Sequence, residues 1–146
     1  MSIDAEVAAL KKVPLFHGID GSKLRLLAFM SQRVEYQDGE ELCSQGDTGD
    51  SAFVILSGQA DVLVDGEKLA VVGEHAIVGE ISILCDVPRT ATLRASGIVD
   101  VLTIAKDDFI KLMKEFPEMS LEVMRTLAER LEKTTRALAA AKSAAS

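Results

Sequence analysis

The chain has 146 residues, of which 48% are hydrophobic, 27% charged and 4% aromatic, the proportions of one ordinary domain that buries its own core. Its 16 Lys and Arg stand against 23 Asp and Glu, a net charge of −7, which excludes nonspecific attraction to nucleic acid or to an anionic membrane as a first reading. No apolar run approaches the roughly 20 residues that cross a bilayer, and the N-terminus lacks the basic start and apolar middle of a signal peptide, so a cytoplasmic protein without a membrane segment is expected.

Ile3, Val7 and Leu10 share one face of a short amphipathic helix over residues 3–12, which Pro14 is expected to stop. Asp20 is placed to cap a second helix reaching Met30, with Leu24, Leu27 and Met30 at helical spacing toward the core and Lys23 and Arg25 toward water. From Val34 to Ile104 the texture changes to short Val/Ile/Leu-rich runs punctuated by Asp-Gly, Gln-Gly-Asp, Ser-Gly and Gly-Glu, which is the grammar of strands and turns. The glycine spacing points to an antiparallel barrel or jelly roll, and Val62–Leu69 reads as a tight hairpin turning at Asp65-Gly66.

Beyond Ile104 the pattern returns to helix. A segment Asp107–Lys114 starts with Lys106 or Asp107 near its cap, and Asp107-Asp108 read as negative charge at a helix start rather than as a catalytic pair. After a break at Phe116-Pro117, a long helix runs from Glu118 to about Lys142, with a frayed Ala-rich tail. Met124, Leu131 and Leu138 recur every seven residues, as do Leu127, Thr134 and Ala141 on the adjoining seam. Such a helix either lies on the barrel or pairs with a second copy in a homodimer.

Cys43 and Cys85 are far apart, without metal-chelating spacing, and are expected to be reduced. His17 and His75 sit next to no recognisable nucleophile motif and are read as structural or exposed, so the raw material for a hydrolase is missing. No metal and no cofactor are expected.

The chemistry concentrates between Ile77 and Ala95. Gly79 opens an apolar segment long enough for one or two helical turns, and Pro88-Arg89-Thr90 turns the chain back into a strand. The first amides of such a helix lack internal partners and favour an anion. Arg89 supplies a planar positive fork for a phosphate, whereas an ionised Glu80 accepts only and suits a sugar hydroxyl. The ligand so described is a phosphate joined to a ribose.

In this respect the chain resembles the cyclic nucleotide-binding domain family, which includes the bacterial catabolite activator protein, the regulatory subunits of cyclic-nucleotide-dependent kinases and cyclic-nucleotide-gated channels. The resemblance runs through Val13-Pro14-Leu15-Phe16, Gly39-Glu40-Glu41-Leu42, Gln45-Gly46-Asp47-Thr48-Gly49-Asp50 and Val54-Ile55-Leu56-Ser57-Gly58. It ends in the cassette Gly79-Glu80-Ile81-Ser82 with Pro88-Arg89-Thr90-Ala91-Thr92. Val78 departs from the family's usual Phe, which changes packing beneath the cassette and leaves its polar groups in place.

The resemblance implies a single domain over residues 1–146, α+β but mainly β. Its antiparallel β-jelly roll (a double-stranded β-helix, residues 33–105) carries a phosphate-binding cassette at 78–92, with N-terminal helices (1–32) before it and C-terminal helices (106–146) after it. It implies a cyclic phosphate on Arg89 and on the backbone near Gly79, Ile81 and Ser82, a ribose on Glu80, and Thr90 and Ala91 beside base and phosphate. In the bacterial activator a hydroxyl pair on the last helix reaches adenine; Arg130-Leu131-Glu132-Lys133-Thr134-Thr135 matches that pattern, with Arg130 able to approach Glu80.

Thr90 suits a guanine amino group and Thr134 with Thr135 suit adenine, and the reading takes cyclic AMP over cyclic GMP. With no helix-turn-helix after the long helix, direct DNA binding is not expected; the output is a rearranged C-terminal helix acting on a protein effector. A scaffold that has lost nucleotide binding is the alternative, and a cupin-like metal enzyme would need a histidine cluster that two isolated histidines do not build.

Overall fold

The computed structural model describes residues 2–145, apart from the side chains of residues 81, 144 and 145. The apolar runs of the middle segment form β1 (Gln32–Tyr36), β2 (Glu41–Cys43), β3 (Ser51–Val64), β4 (Glu67–Val72), β5 (Ile77–Val78) and β6 (Thr92–Ala105). They pair antiparallel in the order β1-β6-β3-β4, with β2 also on β6 and β5 also on β3. The β3–β6 ladder is the spine, running from Ser51 opposite Ala105 to Leu63 opposite Thr92.

Ser57-Gly58, a turn signal in sequence, does not end a strand. Gly58 instead bends β3 in mid-course: its φ is +86°, and a Cβ there would lie 2.4 Å from the Ile98 carbonyl oxygen. The ladder register shifts on either side of Ser57 at this bend. Asp65 and Gly66, with φ of +51° and +81°, form the expected hairpin turn between Val64 and Glu67.

The run Ala52-Phe53-Val54-Ile55-Leu56 is buried on both faces, which is why it shows no polar alternation. Phe53 and Ile55 point into the roll with Leu42, Leu93, Val99 and Val101. Ala52, Val54 and Leu56 face the helices and meet Leu10, Phe16, Leu24, Phe109 and Met119. Each large apolar side chain removed from water here contributes about 1.5–3 kcal/mol.

Helix α1 (Ile3–Lys11) begins where Ser2 Oγ accepts from the Ala5 amide, and ends before Pro14, which opens its own 3-10 turn over Pro14–Phe16. Asp20 caps α2 (Gly21–Met30) as expected. Leu24 and Leu27 are buried, but Met30 is not; Ala28 takes the inner position. Met30 is the last helical residue, where Ser31 folds back on the Leu27 carbonyl and the chain leaves the core for β1.

Helix α4 (Lys106–Glu115) starts one residue earlier than the sequence pattern suggests. Its cap residue Ala105 makes no side-chain bond, and the Lys106 amide donates to the Asp50 carbonyl at 2.9 Å instead, so Lys106 and Asp107 lie inside the first turn. Helix α5 (Pro117–Ala145) carries Pro at its first position. It packs through Met119, Val123 and Leu127, and Arg130 reaches back to Glu80, while Leu131 and Leu138 are 64–67% exposed. Among the described residues no helix is long and apolar enough to cross a membrane.

Candidate functional site

The short helix α3 (Glu80–Cys85) follows β5 through Gly79, whose φ of +84° favours glycine. A Cβ at Gly79 would stand 2.5 Å from Arg89 Nη1. The helix ends on Asp86, also left-handed. The chain then runs to Arg89, whose backbone is clamped on both sides: its amide donates to the Asp47 carbonyl and its carbonyl accepts from the Gly46 amide, each at 2.8 Å. Gln45 N–H donates to Thr92 Oγ1 at 2.9 Å. The Gln45–Asp50 loop is thus the jig that fixes the cassette. Gly49 within it lets α3 approach, since a Cβ there would meet Ser82 Cβ at 2.3 Å.

Arg89 is 5% exposed. Nη1 donates to the Gly79 carbonyl at 3.0 Å, and Nη2 donates to the Ser51 carbonyl at 2.8 Å and more weakly to Ser51 Oγ at 3.4 Å. Its guanidinium carbon lies 5.2 Å from the centre of the Phe53 ring. All these partners are uncharged, and among the described residues no carboxylate forms an ion pair with it. Glu80, also 5% exposed, accepts from Arg130 Nη1 at 2.7 Å through Oε1. The two buried charges of the cassette are therefore not partners of each other.

Gly79, Glu80, Ser82, Arg89, Thr90 and Ala91 line one cavity of about 300 Å³, walled by Val62, Val72, Ile77, Val78 and Leu93, with Arg130 at its edge. Ile81 is in the first turn of α3, and its side chain lies outside the described residues. Thr134 and Thr135 are not brought to this cavity: both are exposed, with hydroxyls donating to the Arg130 and Leu131 carbonyls of their own helix at 2.9 Å. Ser51 and Phe53, which hold Arg89, and Cys43 in the cavity wall were not legible as site residues; the one signal was that Ser51 directly follows the Gln-Gly-Asp-Thr-Gly-Asp run.

Burial pushes the Cys43 thiol above the ordinary thiol range, with the Arg89 charge opposing the shift, and burial likewise raises the Tyr36 phenol. Among the described residues no three His, Cys, Asp or Glu side chains converge as a metal-ligand set. The site offers a buried cation with uncharged partners, a buried acceptor and an apolar wall.

The profile of the family described as "Cyclic nucleotide-binding domain" matches residues 33–116, more than half the chain. The chain belongs to this family. It is 29% identical over 126 residues to the cyclic nucleotide-gated channel alpha-4 of Mus musculus, covering 81% of this chain and 22% of the channel. It is 28% identical over 135 residues to the CRP-like cAMP-activated global transcriptional regulator of Mycobacterium tuberculosis, covering 89% of this chain and 60% of the regulator.

The crystal structure of the Thermus thermophilus catabolite activator protein superposes with a TM-score of 0.76 at 28% identity, over 86% of this chain and 61% of that one. The domain thus spans only part of each of these relatives. The match of fold confirms an antiparallel β-roll with flanking helices and a long C-terminal helix.

Proposed function

We propose that this domain is a sensor that binds cyclic AMP in preference to cyclic GMP and relays occupancy through α5 to a protein effector. The observation that carries the reading is Arg89, a buried guanidinium whose described partners are all uncharged oxygens and an aromatic ring. A buried charge without a counter-charge is costly, and an anion entering the cavity removes that cost.

In this reading the cyclic phosphate sits against Arg89 and the unpaired first-turn amides at Ile81 and Ser82. The ribose hydroxyl donates to Glu80, and the base lies along Val62, Val72 and Thr90. The hydroxyl then competes with Arg130 for the Glu80 carboxylate, which links occupancy to α5. Thr134 and Thr135 reach a base only if α5 moves, so the helix acts as the responding lid; a ligand shifts it by its differential affinity for the two positions. Adenine is favoured by this hydroxyl pair, and a relative at 28% identity is named as cAMP-activated.

Calorimetric titration of the full chain with cyclic AMP and cyclic GMP, followed by hydrogen exchange of the α5 amides, tests the proposal. One saturable site, tighter for cyclic AMP, with altered exchange beyond Leu127, is expected. Absence of binding by either nucleotide leaves a scaffold, and tighter cyclic GMP binding reverses the preference.

A further inference from the structure

A cavity of about 460 Å³ adjoins the one beside Arg89 and is half again as large. It lies between the 3-10 turn, the β4–β5 connection and the first half of α5. The two are not separate sites. Val72, Ile77 and Val78 form a floor common to both, and Glu80 and Arg130 line both. The ion pair between these two residues, closed at 2.7 Å, is therefore a partition across a single cleft.

The lobe beyond the partition is walled by Pro14, Ala76 and Leu127, each with surface left open to solvent, and the three floor residues are likewise only half-buried. Its other charged lining residues, Lys12 and Glu74, are exposed. The part of α5 that closes the lobe is fixed, since Met119 and Val123 are packed in the helix-side core.

Water held against such aliphatic walls is released favourably when an apolar group replaces it, and a phosphate or a ribose does not suit them. The base is the part of the nucleotide at the boundary. It lies along Val72, which both lobes share. A preference for adenine set by hydroxyls of α5 turns the amine edge of the base toward that helix, and α5 supplies Thr126 and Leu127 to the far lobe. Where the ribose hydroxyl takes Glu80, Arg130 is released and the partition opens.

We propose that the site takes cyclic adenine nucleotides whose N6 amine carries an apolar chain, with the chain lodged in the lobe beyond Arg130. This deepens the cyclic AMP reading and rests on it.

Cyclic AMP and its N6-methyl, N6-propyl and N6-pentyl derivatives are titrated into the full chain by calorimetry, with the N6-(ω-hydroxybutyl) derivative as a polar control of the same length as pentyl. Affinity is expected to rise about twofold or more for each methylene from methyl to pentyl, with the hydroxyl control at least about fivefold behind pentyl. Thr126→Trp fills the far lobe from α5 and lies outside the cavity beside Arg89. It should flatten the series while cyclic AMP itself binds within about twofold of its native affinity. If that variant does not melt cooperatively, the series and its hydroxyl control in the unaltered chain carry the test.

Affinity that is flat or falls with chain length, a hydroxyl control equal to pentyl, or a series untouched in a folded Thr126→Trp chain overturns the lobe and leaves cyclic AMP binding standing. Binding of neither cyclic AMP nor any derivative overturns the nucleotide reading and the lobe with it. Binding of the pentyl derivative by a chain that ignores cyclic AMP supports the lobe and replaces cyclic AMP as the ligand.

Discussion

Arg130 Nη1 donates to Glu80 Oε1 at 2.7 Å, tying the C-terminal helix to the first residue of the cassette helix across 50 positions of chain. The carboxylate side chain is 7% exposed and the guanidinium 48%, so one end of the pair is buried and the other is wet.

Arg130→Ala strands the Glu80 carboxylate. Because solvent screens the arginine end, the expected loss is near 1 kcal/mol rather than the several kcal/mol of a fully buried pair. Urea denaturation measures it, and hydrogen exchange should show faster opening of α5 beyond Leu127. Unchanged exchange would mean the pair does not hold the helix.

Glu80→Gln keeps the shape and removes the charge. Cyclic AMP binding should weaken by about 1–3 kcal/mol, and the penalty for the 2′-deoxy analogue should shrink. Competition titrations with both ligands check this; an undiminished 2′-deoxy penalty would take the ribose away from Glu80.

Arg89→Ala should cost about 2–5 kcal/mol of nucleotide affinity. Arg89→Lys should recover little of it, since a single ammonium cannot replace the fork that spans the Gly79 and Ser51 carbonyls. Calorimetry with circular dichroism as a fold control reads both, and full affinity in the lysine variant would contradict the role of the fork.

Gly49→Ala should destabilise by about 1–3 kcal/mol, because the new methyl overlaps Ser82 Cβ and must push α3 away. Gly73→Ala is the control: a Cβ there meets nothing within 4 Å, and the change should be neutral or slightly stabilising. Equal melting temperatures for the two variants would show that the loop and α3 are not in close contact.

Cys43 is half-buried with a raised thiol pKa, whereas Cys85 is exposed. Iodoacetamide near pH 8 should therefore label Cys85 first, as mass spectrometry can show. The fold favours the neutral Cys43 thiol, so its contribution to stability is complete below the ordinary thiol pKa, about 8.5, and is lost as pH rises through the raised value. Cys43→Ala should flatten that alkaline decline in denaturation curves.

Local pattern carried the roll a long way. Asp65-Gly66 specified its turn and Asp20 its cap, because backbone preference acts within a few residues. The same rules misplaced Met30 at a helix end and read Ser57-Gly58 as a strand terminus, since neither an exit from the core nor a bend within a paired strand has a local signature.

By itself the sequence determined the strand-and-turn texture and the helices at either end, and it singled out Gly79, Glu80 and Arg89 within one short segment. Only the tertiary structure decided their partners. Arg89 rests on Ser51, 38 positions away, and Glu80 on Arg130, while Thr134 and Thr135 turn to their own helix. Such partners are chosen by closure of the roll and the angle at which α5 leaves it, and packing between distant segments leaves no periodicity along the chain.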